Sequence, residues 1–338
     1  MDNLLDTLLK DEKKVNKSLY SAGPFWRHKN KRTIFQIKKN TLKDFRGMHS
    51  SVGTSFTDNV MFDIRNEYNF LGRAVSSIQS IPLIRKVFNS QLRITSDHIN
   101  NFLKNQNIVF RNNKRVQDLI SQYNFERTTE FECLQKFDYQ NKEYSCHYLE
   151  MANRIDHINK SINLNDCHSL LEIGGGFAAN IHFLLSNFTN LKKIIYVDVV
   201  PNIYVGTEYL KNFYEDAVID YLSSRDLEEI KFKDNDKLEI FCLAPWQIEN
   251  LNTEIDHFHN ACSFVEMPKN VIENYVKYIF KNPVKSISLV SYQYGDHLTL
   301  KPDELNSFFD NKLEILEHSR VISEIGEKET YLIKVKDR

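Results

Sequence analysis

The sequence predicts an α/β fold: a parallel sheet flanked by helices in the second half, preceded by a mainly helical region. Three features carry this reading. From Ser169 onward, apolar runs of strand length alternate with segments of helical periodicity, the pattern of strands joined by crossover helices. In the first such unit, Leu170–Phe177 reads Leu-Leu-Glu-Ile-Gly-Gly-Gly-Phe, an apolar strand entering three glycines with a helical pattern directly behind them. Two strand-like runs, Leu313–Leu316 and Thr330–Lys336, lie on either side of a turn region at Gly326 near the end of the chain.

The elements follow in order. Leu4–Leu9, Ile34–Phe45, Val60–Ile81 and Ile99–Ile120 read as helical or mixed, without a strand rhythm. Tyr148–Ile162 reads as a helix leading into the first strand, so the division falls at 150, within a soft zone of 140–165. Residues 1–150 are then a region that covers a site and shapes a substrate pocket, and 151–338 the ligand-binding domain. Its first strand is Ser169–Ile173. The next helix carries Ile181, Leu184, Leu185 and Phe188 at i, i+3, i+4 and i+7, one apolar face for the sheet. Lys193–Asp198 is the second strand, and Pro201 opens the following helix, where a missing N–H costs nothing. Leu238–Leu243, Ile255–Cys262 and Lys285–Ser291 are further strands; Met267–Lys281 and Pro302–Phe309 are helices.

Composition bounds the class. With 41% hydrophobic and 26% charged residues the chain can build a core. A formal net charge of −1 gives no global attraction to nucleic acid or membrane. The five cysteines (Cys133, Cys146, Cys167, Cys242, Cys262) contain no C-x-x-C pair and read as reduced, mostly buried thiols. The N-terminus has acids where a signal peptide needs positive charge, and no apolar run reaches membrane-spanning length, so a soluble, cytoplasmic protein is expected.

The glycine turn carries the chemistry. Glycines there let a backbone approach a ligand closely, and the free N–H groups of the next helix face the same point. Glu172, two residues before the first glycine, is placed to accept hydrogen bonds from a cationic or hydroxylated cofactor. Asp198, at the end of the second strand, can take both hydroxyls of a ribose, or else cap the helix at Pro201. After the third strand, Leu243-Ala-Pro-Trp246 offers an apolar turn whose indole suits a flat ring, or is simply core. The same glycines also satisfy a dinucleotide fingerprint through Gly174, Gly176 and Ala179.

Acidic-x-Gly-x-Gly at Glu172–Gly176 resembles the first motif of S-adenosylmethionine (SAM)-dependent methyltransferases, and the two C-terminal strand runs resemble the closing antiparallel hairpin of the class I, Rossmann-like members. A narrower likeness is carried by Leu171–Phe177, Asp198-Val-Val-Pro-Asn202, Tyr209-Leu210, Asn260, Ser263–Met267 and the early Pro24-Phe-Trp26. These together resemble the sugar O-methyltransferases of bacterial polysaccharide and glycosylated natural-product pathways. One departure is that Ala178 and Ala179 stand where further small glycines are common. The resemblance implies SAM as cofactor, a sugar or nucleotide-sugar as substrate, and cofactor contacts from Glu172, Gly174, Gly175, Gly176, Phe177, Asp198, Val199, Ala244, Trp246, Asn260 and Ser263.

Ile255–Met267 is the second informative stretch. A central parallel strand is normally almost continuously apolar, so His257, His259, Asn260 and Ser263 need partners or a place at the carboxyl edge where ligands bind. Asp256, at the strand's start, reads as structural, and Asn260, Ser263 and Glu266 as facing the transferable methyl. A sugar hydroxyl is a poor nucleophile while protonated, and a positioned base helps by roughly 10²–10⁴-fold. The candidates are Glu266, His259 and His297. Asp256, Glu266 and Asp296 offer oxygen ligands, but no tight acidic pair demands a metal, so metal-independent catalysis is expected.

Arg27–Arg46 contains eight Lys or Arg residues against one acid, Asp44. It reads either as attraction for a phosphate or as a solvated helix face around buried Ile34, Phe35 and Ile37. No glycine-aromatic motif, zinc knuckle or target-base motif accompanies it, so nucleic acid is not the expected partner. Methylation of RNA or another small molecule, NAD-dependent oxidoreduction, and a cofactor-binding but catalytically silent module are the readings left open.

Overall fold

The computed structural model describes residues 3–20, 22–23, 26, 30–31, 33–34, 37–38, 42–43, 45–46, 107–133, 135–292, 300–309, 313–322, 325 and 328–336. The elements are α1 (Asn3–Glu12), α2 (Lys17–Tyr20), α3 (Lys114–Gln122), β1 (Lys136–Tyr139), β2 (Lys142–Ser145), α4 (Cys146–Ser161), β3 (Ser169–Ile173) and α5 (Ala179–Asn187). There follow β4 (Lys193–Val197), α6 (Asn202–Tyr214), β5 (Val218–Ile219), α7 (Tyr221–Ser224), β6 (Glu239–Leu243) and β7 (Ile255–Ala261). The chain continues through α8 (Lys269–Ile279), β8 (Val284–Tyr292), β9 (Glu314–Ile322) and β10 (Lys328–Val335).

Eight strands form one sheet in the order β5-β6-β4-β3-β7-β8-β10-β9. Pairing is parallel from β5 through β8, while β10 runs antiparallel to both β8 and β9. This is the sheet that the sequence led us to expect, parallel strands flanked by helices and closed by an antiparallel hairpin. Every residue of β3, β4 and β6 is buried, as strands covered on both faces require.

Side-chain alternation sorts these strands into two cores. Leu170, Ile194, Tyr196, Ile240 and Cys242 face α4, α5 and α6, and pack with Leu149, Ile155, Ile181, Ile203 and Tyr209. Leu171, Ile173, Ile195, Val197, Leu243, Phe258 and Leu289 face α8 and meet Val271, Ile272 and Tyr275. Leu4, Leu5, Leu8, Ile37 and Phe45 belong to the first core, so described parts of the N-terminal region share it with the sheet. Among the described residues no helix is long and apolar enough to cross a membrane.

The structure departs from expectation in four places. Residues 136–145, inside the region read as mainly helical, form an antiparallel hairpin. Pro201 sits at the N-cap of α6 rather than inside its first turn. Pro302–Phe309 is 3₁₀ rather than α-helical. The short edge strand β5 was not anticipated at all. Val60–Ile81 lies outside the described residues, as do the first residues of Ile99–Ile120; the rest of that stretch is helical around Asn113.

Candidate active site at the carboxyl edge of the sheet

Order in the sheet reverses at β3: β4 lies on one side and β7, much later in the chain, on the other. A crevice outside the carboxyl ends of the strands belongs at such a point. The glycine turn leaves β3 there. Gly174 has φ +78°, and its N–H donates to Val197 O at 2.8 Å. A Cβ on Gly174 would lie 2.1 Å from Ser263 Oγ, so both the backbone and the crowding require glycine. Gly176 has φ +64°, yet among the described residues no heavy atom lies within 4 Å of where its Cβ would stand. Its backbone is what requires glycine, and the space beside it is open. Gly175 is crowded from below, its added Cβ falling 2.6 Å from Glu172 Oε2. Ala178, also left-handed at φ 64°, is the N-cap of α5.

Asp198 fastens this turn. Its Oδ2 accepts from Gly176 N at 2.8 Å and its Oδ1 from Val199 N at 2.7 Å. Burial pushes the carboxyl up to about 7, with Glu266 adding to the rise and the bonds from Gly176, Val199 and Asn202 opposing it. With these three donors on its two oxygens, the carboxylate keeps lone-pair capacity for about one more. Glu172 is 1% exposed; its Oε1 accepts from Asn180 Nδ2 at 2.9 Å, while Oε2 has no hydrogen-bond partner among the described residues. Burial pushes it up to about 8, helped by Asp198 and opposed by Asn180.

Two buried carboxyls with raised pKa values make a testable pair. Their folded-state values lie above the free-carboxyl range, so their protonated forms favour folding. That contribution is complete below the ordinary carboxyl range of about 4 and is lost as pH rises through about 7 for Asp198 and about 8 for Glu172. Thermal stability of the protein alone is therefore expected to fall between about pH 5 and about pH 8. A cation bound beside the turn favours their ionisation, so binding near pH 7 is expected to release protons. Calorimetry in buffers of different ionisation enthalpy measures this, and zero proton release would refute it.

Glu266 ends a 3₁₀ turn after β7 and is buried. Its Oε2 accepts from Trp26 Nε1 at 2.6 Å, and its charge reaches Asp198. Asn260 and Ser263 are brought to the same edge, with their polar atoms committed to the scaffold. Asn260 Nδ2 donates to Ile173 O at 2.7 Å and to Ser263 Oγ at 2.6 Å, and its Oδ1 accepts from Phe264 N at 3.1 Å. Ser263 Oγ donates to the same Ile173 carbonyl at 3.1 Å. The pair pins the last carbonyl of β3 under the glycine turn.

Other expected residues lie further from the turn's open side. Phe177 is buried among Phe45, His147 and Tyr209, under the guanidinium of Arg46. Ala244 is fully buried, its N–H donating to Gln247 Oε1. Trp246 is half-buried and donates to Tyr221 OH at 3.2 Å, edge-on to that ring. His259 points into the strand pair: its Nδ1 lies 2.8 Å from Ser288 Oγ, which also meets His257 Nε2 at 2.8 Å. Burial pushes both imidazoles down to about 3, so both are neutral at physiological pH. His297 and Asp296 lie outside the described residues.

Asp256 holds His168 N and Ser169 N and pairs with Lys285, a structural role as expected. Among the described residues no group of three or more His, Cys, Asp or Glu converges as a metal-binding set. In the basic run, Ile37 is buried, and Arg46 is buried too, donating to Thr128 O and Ser145 Oγ. Arg46 is thus part of the core and not a surface cation; Phe35 lies outside the described residues.

Sequence reasoning missed two supports. Tyr196 OH donates to Gly176 O at 2.5 Å, and the tell-tale was one polar-tipped ring in the otherwise aliphatic run Lys-Ile-Ile-Tyr-Val. Asn180, in the first turn of α5, holds Glu172.

No protein-family profile and no curated protein matches the chain. Solved structures do resemble it at low identity. Magnesium protoporphyrin IX methyltransferase from Synechocystis PCC 6803, with bound SAM, is 9% identical over 57% of this chain and 80% of that one, with a TM-score of 0.38. The methyltransferase domain of a bacterial Hen1 is 12% identical over 54% and 95%, at 0.36. TehB from Haemophilus influenzae is 16% identical over 54% and 62%, also at 0.36. The architecture itself rests on the strand order and register of this chain.

Proposed function

We propose that the chain is a SAM-dependent O-methyltransferase that transfers a methyl group to a sugar hydroxyl, in polysaccharide or glycoconjugate biosynthesis. The observation that carries the reading is the glycine turn at the switch point, fastened by Asp198 through Gly176 N and open beside Gly176. The residues present fit SAM. Asp198 has room for a ribose hydroxyl, the orphaned Glu172 Oε2 leaves an unused polar atom beneath the turn, and the free N–H groups of α5 face the same point. When bound, SAM supplies an electrophilic methyl on a cationic sulfur.

The chain's own residues then have two tasks. Asp198, the glycine turn and Val199 hold and orient the adenosyl end, with Asn260 and Ser263 keeping the turn rigid beneath it. Glu266 would take the proton of the acceptor's hydroxyl, and bound SAM would supply the methyl group. An acid-rich edge supports an uncharged, hydroxyl-bearing acceptor over a phosphate backbone: Asp198, Glu172 and Glu266 meet there, and nearby Arg154 is paired with Glu329 at 2.6 Å. In this reading the N-terminal region covers the site through its described residues Trp26 and Asn30, which bond to Glu266 and Val200.

Calorimetric titration with SAM, S-adenosylhomocysteine (SAH) and NAD tests the cofactor: SAM and SAH bind and NAD does not, and the reverse would install the dinucleotide reading. Asp198→Ala is expected to weaken SAM by about 1–3 kcal/mol through lost charge-assisted bonds and a loosened turn. Turnover on nucleotide-sugars and on RNA then separates the acceptor classes, and methylated RNA alone would overturn the sugar assignment.

A further inference from the structure

Pro24-Phe-Trp26 is a sequence feature that the cofactor site leaves unused, and the structure gives its indole a place. Trp26 Nε1 donates to Glu266 Oε2 at 2.6 Å across 240 residues of sequence. On one side of it, Gly23 lies so close to the same residue that an added Cβ would stand 2.6 Å from Glu266 O. On the other, Asn30 Nδ2 donates to Val200 O at 2.9 Å, just beyond Asp198. These contacts fasten the N-terminal region to both banks of the switch point, after β7 and after β4. We propose that Trp26 is a positioning residue for Glu266: its indole N–H fixes the carboxylate's orientation and holds it ionised beside the cofactor's sulfur.

The physical argument is a hydrogen bond to the charged form. A donor aimed at a carboxylate favours the anion, and a half-buried indole does so without adding a charge that would repel a cationic sulfonium. Phenylalanine keeps the ring and removes the donor. Among the described residues, the titratable groups facing Glu266 from neighbouring elements are Asp198, after β4, and Cys262, at the end of β7. Burial pushes the Cys262 thiol up to about 12, which leaves it neutral, and Arg154 acts on that thiol. Asp198 titrates in the same range as the effect sought, so the test needs a background in which Glu266 is silent.

The inference rests on the SAM reading, and its test separates the two. SAM is cationic at sulfur and SAH is neutral, so the ratio of their dissociation constants reads the negative charge beside the sulfur without any acceptor. This ratio is measured on the full chain by calorimetry from about pH 5 to about pH 8 for wild type, Trp26→Phe, Trp26→Gln, Glu266→Gln and the Phe/Gln double variant. In wild type the preference for SAM falls on acidification. In Trp26→Phe the midpoint of that fall is expected to move up by about one pH unit, because the carboxylate holds its proton to higher pH. Trp26→Gln, which keeps an uncharged N–H donor, restores much of it, and in the Glu266→Gln background Trp26→Phe changes nothing further. A Trp26→Phe titration that overlays wild type overturns the proposal, as does an equal shift with and without Glu266. Should Trp26→Phe fail to fold, Trp26→Leu, which also lacks the donor, is compared with wild type for the same upward move of the midpoint. A wild type that binds neither ligand removes the cofactor reading itself and this inference with it, an outcome distinct from bound ligands with an unmoved midpoint.

Discussion

Glu266→Gln lowers turnover by about 10²–10⁴-fold while SAM affinity changes far less. Glutamine keeps the length of the side chain and an oxygen that accepts from Trp26 Nε1, so the 2.6 Å contact survives. It removes the one property a base needs, a lone pair basic enough to take a proton. The other candidates at this edge are differently placed. His259 is turned onto Ser288 and kept neutral by burial, and Asp198 and Glu172 sit under or beside the glycine turn with bonds to Gly176, Val199 and Asn180. Single-turnover rates at saturating SAM, on whichever acceptor pool supports methylation, read the effect. Glu266→Asp, which retains the charge but shortens the reach, is expected to fall between wild type and glutamine. Wild-type rates in Glu266→Gln would move the proton acceptor to a residue outside this cluster.

The sheet was legible in the sequence because its strands are buried on both faces, and such strands write themselves as short unbroken apolar runs. Ser169–Ile173 was placed to the residue, and β4, β6, β7 and β8 to within a residue or two. The hairpin of β1 and β2 was missed because Lys-Phe-Asp-Tyr and Lys-Glu-Tyr-Ser are short and half-exposed. A signal was present even so: Gln140 and Asn141, the two residues between the strands, both adopt positive φ, the backbone of a two-residue hairpin turn that asparagine tolerates.

Site residues were less legible than strands. His257 and His259 read as chemistry only while β7 is considered alone. Across the sheet they pair in register with Ser286 and Ser288 of β8, so His-x-His faces Ser-x-Ser and the polar groups satisfy one another. That match was visible in the two strand sequences once their adjacency is known. Trp26 was beyond reach, since nothing local ties it to a carboxylate that far along the chain.

Gly174→Ala is the second large effect, and its contrast with Gly176→Ala separates crowding from backbone strain. At Gly174 both costs apply. A left-handed backbone costs a non-glycine residue about 1–2 kcal/mol, and the new methyl would stand 2.1 Å from Ser263 Oγ and 2.4 Å from its Cβ. Ser263 cannot retreat freely, because its hydroxyl holds Ile173 O and receives Asn260 Nδ2. Overpacking of this kind adds about 1–3 kcal/mol, so the variant is expected to lose about 2–5 kcal/mol of stability and its SAM binding together. Gly176→Ala carries only the backbone cost, as Ala178 at φ 64° already illustrates within the same turn. Its methyl enters the open space beside Asp198, so SAM affinity falls while the melting temperature drops only by the backbone share, less than in Gly174→Ala. Gly174→Ala combined with Ser263→Gly recovers the overpacking share and leaves the strain. Equal losses of stability in the two alanine variants would mean that Ser263 does not wedge the turn, and that the packing beneath the glycines is not what shapes the crevice.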